Sequence, residues 1–340
     1  MKTIKSILTL AVCAGVALTS CSEDQKLNTN QEQTVYNKKD LKFSYGNAFE
    51  SFAKNTKKKH RLQVFQDINE TLDGYRIAQV EIYDVAKSPE AIDNVTVIPI
   101  PDASSNEYRT GFRFFPNDPR RNGRDNLTYI TVSEFSTSAN GVASEQIFDD
   151  MYAVWENETN CNNVSIDKQD FSLDINGLPS SILSFGDEPL GPFADNNIIG
   201  YIPSFLFDAI GASASTLAVT FTFAFTDENG VSTDINGDGK IDTSHTEIWF
   251  NDSVNWSNDG LEPGSVDVAS VALHEFGHSV GLDHSGTLLA TFDNDGQFTG
   301  ELNYVPTNVM NPAYIEKPKR DLAGDDNAIY CENFSAWPYY

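Results

Sequence analysis

His274, Glu275, His278, Gly281 and His284 constrain this chain more than any other residues in it. His274 and His278 stand four apart, and Val268, Val271 and Ala272 lead into them with apolar spacing. That pattern predicts a helix, on which residues four apart share a face and two imidazoles can reach one point. Asp267 is placed to cap its start. Two ligands on one helix cannot complete a tetrahedral metal site, so the helix must stop and the chain must double back. Gly281 permits the left-handed turn this requires, and His284 then arrives as a third nitrogen. Three protein ligands leave a fourth position to water, which is the open arrangement of a catalytic zinc. Zinc lowers the pKa of such a water toward neutrality. Glu275 is placed to take its proton during attack on a peptide carbonyl and to pass it to the leaving amine. A chance match to all five positions is on the order of one in a hundred thousand at average residue usage. The expectation is therefore a zinc-dependent endopeptidase with His274, His278 and His284 on the metal and Glu275 as its acid/base.

Composition narrows the setting. Acidic residues outnumber basic ones 49 to 23 in 340 residues, a net charge of −26. Nucleic acid is excluded as a partner, because its phosphates would be repelled. Protein or peptide substrates fit better, and the chain is treated as a monomer. Lys2 and Lys5 precede a short apolar run, Ile7 to Leu18, followed by Leu18-Thr19-Ser20-Cys21. The run is too short to span a bilayer and reads as a leader. Its ending resembles a bacterial lipobox, which implies lipidation at Cys21 after removal of residues 1–20. The protein would then be exported and held by its lipid at the outer membrane, on the cell surface, with release by processing an option. Cys161 and Cys331 remain as a pair in an exported chain, for which a disulfide is the default and two free thiols the alternative.

Four stretches follow along the chain. Residues 1–20 are the leader, and 21–40 form a polar tether. Residues 41–123 form a β-rich accessory or pro-region, with strands expected over Tyr75–Val85, Val95–Pro101 and Tyr108–Phe115. Residues 124–340 form the catalytic domain. A polar, basic turn at Pro119 to Arg124 separates the last two, and Arg120, Arg121 and Arg124 are candidate cutting sites if the pro-region is removed. Further strands are expected at Leu127–Val132, Ile198–Ile202, Thr216–Phe225 and Glu247–Asn251, and a helix over Ser144–Glu156.

The stretch His274 to Ser285, HEFGHSVGLDHS, resembles the zinc-binding stretch of the matrixins, within the metzincins. Asn308 to Tyr314 resembles the Met-turn of that family, and Asp325 to Tyr330 its closing helix. The resemblance implies an α+β fold, a metzincin-type domain with a twisted five-stranded mixed sheet and three helices. It implies that Met310 floors the metal site, and that Leu217, Ala218, Pro312 and Tyr314 line a substrate pocket. It further implies that an edge strand, here Leu217 to Phe223, pairs with extended substrate. Two departures stand out. The family's second, structural zinc lacks its histidines, since only His245 lies in that region, and its cysteine switch is missing, since no Cys lies between Cys21 and Cys161. Instead, Asp234, Asn236, Asp238 and Asp242 offer oxygens in the pattern of a calcium loop, with a structural Ca2+ or a polar hairpin turn as the two readings. A second function class is a catalytically inactive, calcium-stabilised surface binding lipoprotein.

Overall fold

The computed structural model describes residue 56 and residues 59–86, 97–102, 111–158, 164–172, 180–183, 192–315 and 317–339. The leader, the tether, Cys21 and Cys161 lie outside the described residues. In chain order the elements are α1 (Arg61–Asn69), β1 (Tyr75–Val85), β2 (Val97–Pro99), β3 (Phe112–Arg113), β4 (Leu127–Thr131), α2 (Glu145–Glu158), β5 (Ile166–Lys168) and β6 (Asn196–Ile202). Then come α3 (Ser204–Ala209), β7 (Thr216–Phe225), β8 (Ile241–Asn251), β9 (Trp256–Ser257), β10 (Val266–Asp267) and α4 (Val268–Ser279). The chain finishes with β11 (Thr287–Phe292), β12 (Phe298–Val305), β13 (Ala313–Tyr314) and α5 (Asp326–Phe334). Among the described residues no helix is long and apolar enough to cross a membrane.

The fold is α+β, built on one mixed sheet. Its strand order is β13-β1-β7-β8-β6-β4-β5, with β2 added to β1 and β3 to β8. Within it β5, β4, β6 and β8 run parallel, and β7 runs antiparallel to β8. The sheet is mixed, as the resemblance implies, but has nine strands rather than five, and the described residues hold five α-helices rather than three. Burial explains the composition of the strands, because β6, β7 and β8 are covered on both faces and read as long apolar runs rather than clean alternations. One face carries α2 and α4, around Phe148, Trp155, Ile248, Phe250, Val271 and Phe276. The other carries α1 and α3, around Val64, Phe65, Ile68, Leu206, Val219, Phe221 and Trp249.

The expectation that Leu217 to Phe223 is an edge strand is corrected. β1 pairs antiparallel with β7 along nearly its whole length, from Tyr75↔Phe225 to Asp84↔Thr216. The physical reason lies in the side chains. Val219, Phe221 and Phe223 would leave a long apolar edge beside open solvent, a template for unwanted pairing. β1 satisfies the backbone of that edge, and its Val80 and Ile82 extend the apolar face toward α1.

The basic turn at Arg120 to Arg124 is tied into the fold by its arginines. Arg121 is buried, donating through Nε and Nη2 to Asp195 and through Nη1 and Nη2 to the Phe115 and Asn126 carbonyls. Asp195 additionally accepts from Arg124 and from the Thr128 backbone and hydroxyl. Arg120 forks onto Asp118 and Asp242. A buried pair is costly to break from one side, because the remaining charge is left without compensation. Asp195→Ala should therefore destabilise the fold by about 3–5 kcal/mol. Urea unfolding reads this as a clear drop in midpoint; an unchanged midpoint would show that Asp195 is not an anchor.

Candidate metal centre

α4 supplies two of the three candidate ligands, and its local design follows from its sequence. Asp267 caps it, Oδ2 accepting from the Ser270 backbone at 3.0 Å. Every residue of the helix is buried, so the helix is held as a core element rather than a surface one. Gly277 has a specific reason: a Cβ there would overlap Met310 Sδ and press on Trp155. Met310 therefore seats directly beneath the helix, between the two histidine turns. The helix ends as its glycine predicts. The Gly281 backbone donates to the His278 carbonyl at 2.8 Å. Gly281 takes φ +89°, and a Cβ there would lie 2.8 Å from the Phe112 carbonyl oxygen.

The chain then brings His284 back. The Nε2 atoms of His274, His278 and His284 lie 3.0, 3.0 and 3.3 Å apart. Nitrogens bound to one tetrahedral zinc at about 2.0–2.1 Å would be separated by roughly that distance. Among the described residues this is the one group of three or more His, Cys, Asp or Glu whose ligand atoms gather within 4.8 Å. The outer ring atoms fix the tautomers. His274 Nδ1 faces the Val309 carbonyl and His278 Nδ1 the Leu282 carbonyl, each at 2.8 Å. With Nδ1 as donor, the Nε2 lone pair is left pointing inward.

The Met-turn is latched in turn. The buried Asp326 carboxylate accepts from the backbones of Val309 at 2.7 Å and Met310 at 3.2 Å. The Ser285 backbone donates to the Met310 carbonyl at 2.7 Å, tying the third histidine's loop to the same turn.

Burial pushes His274 and His284 well below the usual histidine range, and burial pushes the Glu275 carboxyl up to about 7. Burial would lower His278 as well, but the neighbouring Glu81 carboxylate outweighs it and lifts that imidazole to about 9. Glu275 Oε2 accepts from Thr220 Oγ1 on β7, while its Oε1 is buried with no hydrogen-bond partner. Glu81 Oε2 is buried and pairs with His278 Nδ1. Three converging imidazole nitrogens beside the unpartnered Glu275 Oε1 fit a cation, and a set of three imidazoles suits zinc.

The candidate substrate-pocket residues fall around β1. Ala218 sits opposite Tyr83 in the register, and Tyr314 opposite Val85. Leu217, Ala218 and Tyr314 are buried and Pro312 half-buried. The Tyr83 ring stacks on His274 at 3.6 Å and meets Tyr314 edge-on at 6.5 Å.

Asp234, Asn236 and Asp238 share one turn, Asn236 Nδ2 donating to Asp238 Oδ2 at 3.1 Å, and Asp242 turns to other partners. Asp234 accepts from the backbones of Gly237, Asp238 and Gly239, closing the turn on itself. Asp238 pairs with Arg113, and the buried Asp242 accepts from Arg120, Thr233 and the Ile235 backbone. Alternating Asp and Asn serve a tight turn as readily as a cation, which is why the pattern admitted both readings. Cys331 is disulfide-bonded, and its expected partner Cys161 is among the residues not described.

Glu81, Tyr83, Gly277 and Asp326 were not singled out by sequence reasoning. Alternation in Gln79-Val80-Glu81-Ile82-Tyr83 signals a two-faced strand, but nothing local says what its polar face meets. The β11–β12 hairpin was missed although Asp293-Asn294-Asp295-Gly296 is a turn signal.

Residues 207–293 match the family model for Matrixin. The match supports a matrixin-like domain over this stretch. The match runs from α3 through β7, β8 and α4 to the first strand of the inserted hairpin, so it takes in all three histidines and Glu275. No curated protein matches the chain significantly. Matrixins are zinc-dependent, and this similarity supports a metallopeptidase-type function.

Two outcomes follow from this geometry. Gly277→Ala must displace Met310, and overpacking of this kind costs about 1–3 kcal/mol. Thermal unfolding should show the loss, and an unshifted transition would contradict the close seating of Met310. His245 is fully buried, stacked on Phe223 at 4.1 Å and edge-on to Tyr75 at 5.0 Å. Burial lowers its pKa to about 3. The fold thus favours its neutral form, a contribution that is full above the unfolded value near 6.5 and lost as pH falls through about 3. The stability difference between the native chain and His245→Gln should shrink across that window, and a difference that stays flat with pH would be the opposite result.

Proposed function

We propose that the chain is a zinc-dependent endopeptidase that hydrolyses peptide bonds of extracellular proteins, with Glu275 as general base and acid. The convergence of His274, His278 and His284 beside a buried, unpartnered Glu275 Oε1 carries this reading. These three imidazoles would hold the zinc, which when bound supplies Lewis-acid polarisation of a peptide carbonyl and acidifies water.

The chain's own residues do the rest. Thr220 Oγ1 holds Glu275 Oε2, so the carboxylate cannot rotate freely and Oε1 is the oxygen left to act. Oε1 takes a proton from the attacking water and returns it to the nitrogen of the departing amine. A carboxyl shifted toward neutrality by burial is better matched to both transfers than an ordinary one. β7 contributes Thr220 and the cleft floor at Ala218, and Met310 supports the ligands from below.

The leader and Cys21 support export and a lipid anchor at the outer membrane, with proteins or peptides outside the cell as substrates. No observation favours an inactive calcium-stabilised binding protein, since Glu275 is intact and the Asp234 to Asp242 turn closes on itself. Glu275→Gln should cut peptide hydrolysis by about 10²–10⁴-fold in the active form of the chain while zinc content stays at one per chain. A variant as active as the native protein would overturn the assignment of Glu275, and a native protein without zinc would overturn the metal.

A further inference from the structure

Between the third histidine and the Met-turn the chain inserts the β11–β12 hairpin, which pairs with no further strand among the described residues. A two-stranded hairpin is marginal in water by itself, so this one depends on its root. Tyr304 is buried there, with Lys319 Nζ 5.5 Å from its ring centroid. Thr307 Oγ1 donates to the Tyr304 carbonyl at 3.0 Å. The tip, Asp293 to Gln297, is exposed.

The hairpin has one face turned from that root. Strand alternation puts Leu289, Glu301, Asn303 and Val305 together on the face opposite Tyr304. Seven large hydrophobic side chains are exposed among the described residues, and Leu289, Phe292 and Val305 are three of them. Residues 287–305 also carry Asp293, Asp295 and Glu301, with no Lys or Arg. Among the described residues Glu301 makes no ion pair; its Oε1 accepts from Asn303 Nδ2 at 3.3 Å. An apolar strand edge is a template for another chain, and uncompensated carboxylates select a basic one.

The hairpin also adjoins the candidate substrate pocket. A cavity of about 420 Å³ lies between Gly300, Glu301 and Leu302 on β12 and Ala86, Ile315 and Lys317 opposite. Ala86 donates its backbone N–H to the Tyr314 carbonyl at 2.9 Å, and Ile315 follows Tyr314. Tyr314 meets the Tyr83 ring that stacks on His274. An extended chain passing Tyr314 would therefore run on to β12. Gly300 takes φ +87° and has open space where a Cβ would stand, which leaves its backbone bare for close approach.

Resting on the endopeptidase reading above, we infer that the β11–β12 hairpin selects protein substrates by binding an extended segment beside the scissile bond, one in which Lys or Arg alternates with apolar residues. The edge of β12 away from β11 pairs with the backbone of that segment, and strand addition leaves alternate side chains to be distinguished by what they meet. Glu301 takes the basic side chains, and Leu289, Leu302 and Ile315 the apolar ones.

The test uses the full chain in its active, zinc-loaded form and a set of quenched fluorescent peptides. One is a short core that the native chain cuts. The others extend that core, at each end in turn, by alternating lysine and leucine or by alternating glutamate and leucine. The ratio of kcat/KM for extended over core peptide is read, because it does not depend on how much of each preparation is folded and loaded. The native chain should favour the lysine extension at one end by roughly tenfold or more. Leu289→Ser should bring that ratio down, and Glu301→Lys should move the preference toward the glutamate form. A native ratio near one at both ends, or a lysine preference that Glu301→Lys leaves intact, would overturn the role of the hairpin, while cleavage of the core keeps the peptidase reading standing. A native chain that cuts no peptide would overturn that reading and this inference with it.

Discussion

Three imidazole Nε2 atoms are held 3.0–3.3 Å apart in a buried pocket, the spacing that a single tetrahedral cation would set. That constraint organises its surroundings. It requires the outer ring nitrogens to be donors, and the Val309 and Leu282 carbonyls are placed to accept from His274 and His278. It requires the Met-turn to be immobile, and Asp326 grips the turn by two backbone N–H groups. It requires the helix bearing two of the rings to be fixed, and α4 is buried along its whole length, with Met310 seated against Gly277. The metal site is thus the point at which several independent packing and hydrogen-bonding requirements meet.

The sheet adds a second consequence. In a five-stranded mixed sheet β7 would be an exposed apolar edge, open to any extended chain. Here β1 takes that place and sets Glu81 against His278 Nδ1 and the Tyr83 ring on His274. The same backbone pairing that would give affinity for a substrate gives stability to the closed fold. Anchoring by Val80 and Ile82 on the far face makes this arrangement part of the core rather than a loose plug.

Much of this was legible in the sequence because it rests on local spacing. The helix over His274 and His278, the left-handed turn at Gly281 and the strands at Tyr75–Val85 and Thr216–Phe225 follow from periodicity and glycine chemistry, and the last two match residue for residue. The partnership of β1 with β7 was not legible, because a strand's sequence states which faces are buried and not against what. Glu81 read as an ordinary polar position for the same reason. Arg121 looked like part of an exposed basic turn, since nothing local reveals that Asp195 waits for it in the core. The Asp234 to Asp242 stretch shows the reverse case, in which one residue pattern serves two kinds of chemistry.

Zinc K-edge X-ray absorption on the full chain tests the central claim most directly. Three imidazole nitrogens at about 2.0–2.1 Å, with one oxygen completing a four-coordinate shell, is the result the structure predicts. A sulfur shell, or a six-coordinate oxygen shell without imidazole scattering, would contradict it.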